Sequence, residues 1–409
     1  MLKTKIFYGW WVVAGSIVGA SVGSAQFAFG SLGVFMSPLG AEFGWSRTEM
    51  SFALTMFTVS QGLAVSLVGY LIDRYGVRRV LLPSLIVYAI LLSGIPLLVG
   101  KLWHLLLMFF LIGFLATGTN SISYMRIVSA WFDRRRGLAL GVTMAGGGLG
   151  FFYVPPFVQY LIEAFGWRAG YYGLVALVIL AMPIIYLFLR DSPLDLGLTP
   201  DGIVAEKSDV DRRAQFGLLR AEAVKQGSFW KLIVIFALLA FCLFGVLPHL
   251  FPMLMDRGMP GSQAAIAAST MGITMIVARW GIGYLIDRFF APYVAFPCFL
   301  LSALGFAMLA TGATGWPVFV AAAFLGISAG AEFDLLAFLT SRYFGLRNFG
   351  GIYAYLFIAF LIGASLGPLT YGAVYEHTGS YMWILSACTI LTVVAGLIML
   401  TLPRYPKVE

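Results

Sequence analysis

Charge is scarce in this chain. Asp, Glu, Lys and Arg make up 11% of its 409 residues, against 60% hydrophobic, whereas a water-soluble domain is about a quarter charged. That excludes a soluble fold. The stretch 291–331 has no charged side chain at all, enough for one membrane span, a turn at 312–317 and the start of another. Cysteine is nearly absent too. Cys242, Cys298 and Cys388 lie singly inside apolar runs, without Cys-x-x-Cys spacing or a nearby histidine pair, so neither a disulfide framework nor a metal site is supported. There is no Gly-x-x-x-x-Gly-Lys-Ser/Thr loop and no nucleophile with a matching base. Enzyme chemistry, a cofactor and nucleotide-driven work therefore have no support. The formal net charge of +8 does not indicate nucleic acid, because the basic residues sit in short loops between apolar runs and not on one amphipathic surface.

What is present is a repeat. Gly69-Tyr70-Leu71-Ile72-Asp73-Arg74 recurs letter for letter as Gly283-Tyr284-Leu285-Ile286-Asp287-Arg288, 214 positions later. Trp131-Phe132-Asp133-Arg134-Arg135-Arg136-Gly137 is echoed by Tyr343-Phe344-Gly345-Leu346-Arg347-Asn348, and Phe165-Gly166-Trp167 by Thr378-Gly379-Ser380, at nearly the same offset. A chain written twice fixes the architecture before any other feature is read. The first copy continues Tyr75-Gly76-Val77-Arg78-Arg79, a charged loop joining two apolar helices. In it Gly69 is expected to allow close helix approach, Gly76 to turn the chain and Asp73 to cap a helix N-terminus.

Apolar windows of about 20 residues predict twelve helices near 8–38, 48–72, 80–99, 103–130, 137–162, 168–189, 229–254, 261–286, 291–311, 317–342, 349–374 and 380–402. Lys3 and Lys5 before the first run give it the look of a secretion signal, but its length makes it an uncleaved first span. The fold class is an all-α membrane protein of two six-helix bundles, 1–190 and 228–409, joined by a polar cytoplasmic linker, 191–227. Short-loop basic residues set the orientation. With both termini cytoplasmic, the inner side holds Lys3, Lys5, Arg74, Arg78, Arg79, Arg134, Arg135, Arg136, Arg288, Arg342, Arg347, Arg404 and Lys407, and the outer side only Arg47, Lys101, Arg168 and Arg257. Glycines at 146–148 and 150 with Pro155-Pro156, and Gly363, Gly367 and Pro368, mark helices built to slide and bend.

The loop motif resembles the signature of the major facilitator superfamily between its second and third helices and again between its eighth and ninth, and the resemblance covers almost the whole chain. It implies a transporter in which Asp73, Arg74, Arg78, Asp287 and Arg288 form gating joints.

Ionisable residues inside spans are functional candidates by default. Arg126, Arg279, Glu332 and Asp334 are the four. Arg279 lies roughly 7 Å past the middle of its span, with Val277, Ala278, Trp280 and Ile282 offering it no partner; a guanidinium there binds a carboxylate with two prongs, or pairs with helix 10. Glu332 and Asp334 stand about 200° apart on a helix and cannot share a face; they read as proton-coupling acids or as fixed counter-charges. Arg126 can snorkel to water as a gate or structural pair, or touch substrate. His249, after Pro248, reads most simply as an interfacial polar residue, with a pH-sensing role as the alternative. Gln26, Tyr124, Tyr153, Tyr353 and Tyr355 are polar enough to line a cavity.

Met275-Ile276-Val277-Ala278-Arg279-Trp280-Gly281 is similar to the helix 8 segment of the monocarboxylate transporters and oxalate/formate antiporters, where an arginine binds the carboxylate. Asn120 resembles a polar helix 4 position of that group, and 190–202 resembles the linker start of its bacterial members. Animal members carry an aspartate four residues before the arginine and a lysine in helix 1, where this chain has Met275 and Ser31; their proton-handling scheme does not transfer. Together these readings predict a proton-coupled carrier of a small organic anion in the cell inner membrane, working as a monomer: the resemblance implies substrate contacts at Arg279 and Asn120, the polar cavity candidates Tyr124, Gln26 and Tyr355 add to them, and the intramembrane acids Glu332 or Asp334 supply the proton coupling. A carboxylate/carboxylate antiporter and a proton-driven exporter of amphipathic compounds are the alternatives.

Overall fold

A computed structural model of the chain describes residues 7–133, 135–202, 218–345 and 347–405. Lys3, Lys5, Arg134 and Lys407, counted above for orientation, and linker residues 203–217 lie outside the described residues. The elements are α1 (Gly9–Ser21), α2 (Ser24–Phe43), α3 (Arg47–Tyr75), α4 (Val77–Leu98), α5 (Leu102–Leu115), α6 (Ser121–Trp131), α7 (Arg136–Phe165), α8 (Trp167–Phe188), a short α9 (Arg220–Ala223), α10 (Gly227–Asp256), α11 (Gly261–Ile286), α12 (Ala291–Ala310), α13 (Trp316–Phe344), α14 (Phe349–Thr378) and α15 (Met382–Leu400). Among the described residues eleven helical stretches are long and apolar enough to cross a membrane, with α1 and α2 taken as one; α5, shorter and also apolar, continues through a 3₁₀ turn into α6 as the twelfth.

The chain divides into two compact units by contact, 1–45 with 56–205 and Ser46–Thr55 with 206–409. In the first, α7 packs on α1 and α2, and α4 on α8; in the second, α14 packs on α10, and α12 on α15. Spans one and five, and three and six, of the first copy thus pair as do seven and eleven, and nine and twelve, of the second. The repeat in the letters is a repeat in packing.

Glycines make the tightest of these seams. A side chain at Gly146 would meet the Ile17 carbonyl at 2.5 Å, and one at Gly150, Gly363 or Gly367 the carbonyls of Ser21, Ala237 or Phe241. Gly69 and Gly283 are different. No heavy atom lies within 4 Å of a side chain added at either, so the motif glycines do not bring helices together among the described residues. Gly76 does turn the chain, at φ +86°. The cap beside it is not Asp73. Asp191, from the linker start, accepts from the Arg78 amide at 2.9 Å and sits where a side chain on Gly76 would be, 2.6 Å away.

Two spans expected to be continuous are broken. The first stops at Ser21, turns through Val22 and extended Gly23 (ψ 152°), and resumes at Ser24. The fourth stops at Leu115 and resumes at Ser121 after extended Asn120 (ψ 177°). A break inside a membrane stands only where the freed backbone groups find partners. Here the breaks serve each other: Ser24 N donates to Thr119 Oγ1 at 3.2 Å, Ala25 N to Asn120 Oδ1 at 3.2 Å, and the Tyr153 hydroxyl to the Ser21 carbonyl at 3.1 Å.

Candidate functional site

In the first unit the double break gathers three of the expected substrate residues. Asn120 accepts from Ser24 Oγ at 3.1 Å as well as from Ala25 N, which uses its Oδ1 and leaves its buried amide nitrogen without a hydrogen-bond partner among the described residues. Gln26 lies across Gly147 and Gly150 of α7, its nitrogen 3.1 Å from where a Gly147 side chain would be. Tyr124 is fully buried against Gly19 of α1, its hydroxyl also lacking a hydrogen-bond partner. Donors without acceptors inside an apolar bundle are what an anionic or carbonyl-bearing ligand satisfies.

In the second unit one helical face explains the acids. Gly326 and Gly330 of α13 are set against Met271 and Met275 of α11, with a Gly330 side chain meeting the Met275 carbonyl at 2.5 Å. Asp334 is the next residue on that i, i+4 row, and Arg279 the next after Met275, so both belong to the same seam. Arg279 is 9% exposed, and Asp334 lies in its electrostatic field. Tyr353 of α14 is close enough to Asp334 to feel its charge. Two residues back, Glu332 points the other way. It is fully buried, neither carboxyl oxygen has a hydrogen-bond partner among the described residues, and Ser328, one turn earlier on the same face, is in the same condition. Its titratable neighbour is Cys242 of α10.

Tyr355 does not join these groups. At two residues from Tyr353 it is turned away, its ring 6.3 Å from Phe229 at the start of α10, and it is 46% exposed. Arg126 pairs with Asp73 at 3.4 Å, both side chains more than half exposed, so the loop motif of its own unit supplies a counter-charge. The motif arginines are held locally: Arg74 donates to Tyr70 at 2.9 Å, Arg78 to the Tyr186 carbonyl at 2.9 Å, and Arg288 sits 3.8 Å over the Tyr284 ring. Asp287 ends α11, its amide bonded to Gly283.

One polar cluster was not legible as such. His249 is fully buried, not interfacial. Its Nδ1 is 3.0 Å from the Tyr381 hydroxyl, and its Nε2 is 2.9 Å from the Pro368 carbonyl and 3.0 Å from Ser51 Oγ. Arg47 donates to Tyr381 at 2.9 Å and, with both terminal nitrogens, to Asp256 at 2.6 and 2.8 Å. A histidine flanked by prolines in an apolar run was the available signal; its partners come from three distant parts of the sequence.

A family model described as Major Facilitator Superfamily matches residues 18–368. Monocarboxylate transporter 11 of Mus musculus is 26% identical over 425 residues, 97% of this chain and 88% of its own length. The Homo sapiens protein of the same name is 27% identical, covering 97% and 83%. The uncharacterized MFS-type transporter YhjX of Escherichia coli (strain K12) is 24% identical, covering 87% and 85%.

Proposed function

The chain belongs to the Major Facilitator Superfamily, a multi-pass membrane transporter of small molecules and not an enzyme, and from that premise we propose that it carries a small organic anion, a monocarboxylate, together with a proton by alternating access. The observation that carries this reading is a guanidinium kept inside a span, Arg279, in the field of a partly buried carboxylate, Asp334. With Asp334 ionised, the two charges hold each other. An incoming carboxylate competes for the planar fork of Arg279, and Asp334, left in low dielectric without its counter-charge, takes up a proton. The loaded seam is then neutral overall and free to occlude. Asn120, Gln26 and Tyr124 are further substrate contacts in this proposal, and the joints at Asp73, Arg74, Arg78, Arg126, Asp287 and Arg288 are its moving parts. The relatives' names, monocarboxylate transporters, support the substrate class. The reading also takes the protein as a monomer in the cell inner membrane with both termini cytoplasmic.

The test is a thermal-stability screen of purified protein against acetate, lactate, pyruvate and oxalate at two pH values. A bound anion raises the melting temperature in proportion to its affinity, more so at the lower pH. Arg279→Lys keeps the charge and loses the fork, so the half-saturating concentration should rise roughly ten-fold or more. Stabilisation of the lysine variant at wild-type concentrations would remove Arg279 from the binding role.

A further inference from the structure

The Arg279 seam leaves unexplained a second charged network, the one around His249. Its polarity can be assigned from chemistry alone. The Pro368 carbonyl only accepts, so His249 carries its hydrogen on Nε2, which also faces Ser51 Oγ. Nδ1 is then the acceptor of a neutral ring. Tyr381 already receives a hydrogen from Arg47, which leaves its own O–H to donate to Nδ1. The chain of donation therefore runs one way, from Arg47 through Tyr381 and the neutral imidazole to Pro368.

The same network holds Ser46–Thr55, the start of α3. Besides Ser51 on His249, the Thr48 amide donates to Glu376 at 2.8 Å, Thr55 Oγ1 to the Ser365 carbonyl at 2.9 Å, and the Arg47 guanidinium lies 4.2 Å over the Tyr375 ring. Ser46 and Glu49 close a capping box at 2.8 and 3.2 Å, so the segment enters as a formed helix end. Gly372 admits it: a side chain there would meet Thr48 Cα at 2.8 Å.

We propose that His249 is a proton-binding site of this transporter, and that proton binding there releases Ser46–Thr55 from α10 and α14. A second proton on the ring must go to Nδ1, the atom now accepting from Tyr381. The tyrosine oxygen would then face two donors, Arg47 and the imidazolium, while its own hydrogen lost its acceptor. Two cations would share one oxygen. The other titratable groups around the ring are Tyr371, stacked on it at 5.7 Å, Tyr375, Glu376 with His377 beside it, and Asp256, already held by both prongs of Arg47. None of these places a carboxylate on the imidazole to stabilise its charged form. The held form binds one proton fewer than the released form, so the hold weakens as pH falls through the ordinary range of an exposed histidine, about 6.5.

Amide hydrogen exchange of the full-length protein in nanodiscs, with protons as the only ligand, tests this without any transported substrate. After correction for intrinsic rates, exchange in 46–55 should rise at least about five-fold between about pH 7.5 and about pH 5.5. In His249→Gln, which cannot titrate, the change should fall below about two-fold. Asp256→Asn should loosen the segment at both pH values while leaving the midpoint near that of histidine. Should the glutamine variant not insert, Tyr381→Phe serves instead: it keeps the imidazole, removes the shared oxygen, and should raise exchange at neutral pH and shrink the response. Wild-type protection that is equal at the two pH values, a full response in both His249→Gln and Tyr381→Phe, or a midpoint in the carboxylate range near about 4.5 would overturn the proposal. Failure of the anion screen leaves this outcome untouched, so the two readings fall separately.

Discussion

Asp334 and Glu332 are two residues apart on α13, which turns their side chains roughly 200° from each other. The turn sends Asp334 to the α11 seam, where Arg279 is, and Glu332 into the bundle toward Cys242. Glu332 is fully buried and its carboxyl oxygens have no hydrogen-bond partner among the described residues, and an ionised carboxylate in such a place is far more costly than a neutral acid. Gln is nearly isosteric with that form. Glu332→Gln should therefore fold with stability within about 1 kcal/mol of wild type and, on the proposed function, keep proton-coupled uptake of a monocarboxylate such as lactate in liposomes. Asp334→Asn should keep the fold and lose the pH dependence of lactate affinity, because Arg279 no longer has a titrating competitor. Substrate-driven alkalinisation outside the vesicles reads both variants. The reverse pattern, coupling lost with Glu332→Gln and retained with Asp334→Asn, would move the proton to the sealed acid.

Between helices, the joint after α3 shows how local chemistry reassigns a motif. Its charges were legible, and so was the turn at Gly76, because a positive φ is a property of one residue. The cap was not. Asp73 is near in sequence, yet the carboxylate on the Arg78 amide comes from Asp191, more than a hundred residues on, and only folding brings the linker start to the head of α4. Asp191→Ala should thus lower unfolding stability by about 1 kcal/mol, the usual loss on removing a cap, while Asp73→Ala, whose partner Arg126 is largely exposed, should lose less. Thermal melts in detergent separate them, and an equal loss would return the cap to Asp73. The breaks in the first and fourth spans escaped the sequence for a related reason. Apolar composition runs straight through both, and what makes a break tolerable is a second break alongside it, with Asn120 and Thr119 serving Ser24 and Ala25. Arg279 stood out as a charge in an apolar run and Asn120 through its resemblance to a polar helix 4 position; Tyr355 stood out as a polar residue as well, and which way each side chain points is decided by packing that a one-dimensional pattern does not carry.

For the whole molecule, orientation in the bilayer decides what the rest can do. In the proposed orientation, argued from thirteen short-loop Lys and Arg residues on one side against four on the other, the side of the termini and of the Arg74, Arg78 and Arg288 joints is cytoplasmic. Each span reverses direction, so in that proposed orientation α10 starts on the cytoplasmic side and its Asp256 end, with His249 two turns before it, lies toward the outside. The turn at 312–315, whose Ala313 carbonyl takes a hydrogen bond from Arg257 at 3.0 Å, belongs to that same end. A phosphatase that is active only outside the cytoplasm should then be inactive when fused after Glu409 and active when inserted at 312–315, with a fluorescent protein giving the opposite result. If the two reporters came out reversed, the basic joints would face outward, and a proton reaching His249 would come from the cytoplasm. In the expected orientation it comes from outside, where acidification would loosen Ser46–Thr55 on the side from which an importer loads. The fusion pair thus fixes the sign of any coupling between external pH and uptake before a substrate is known.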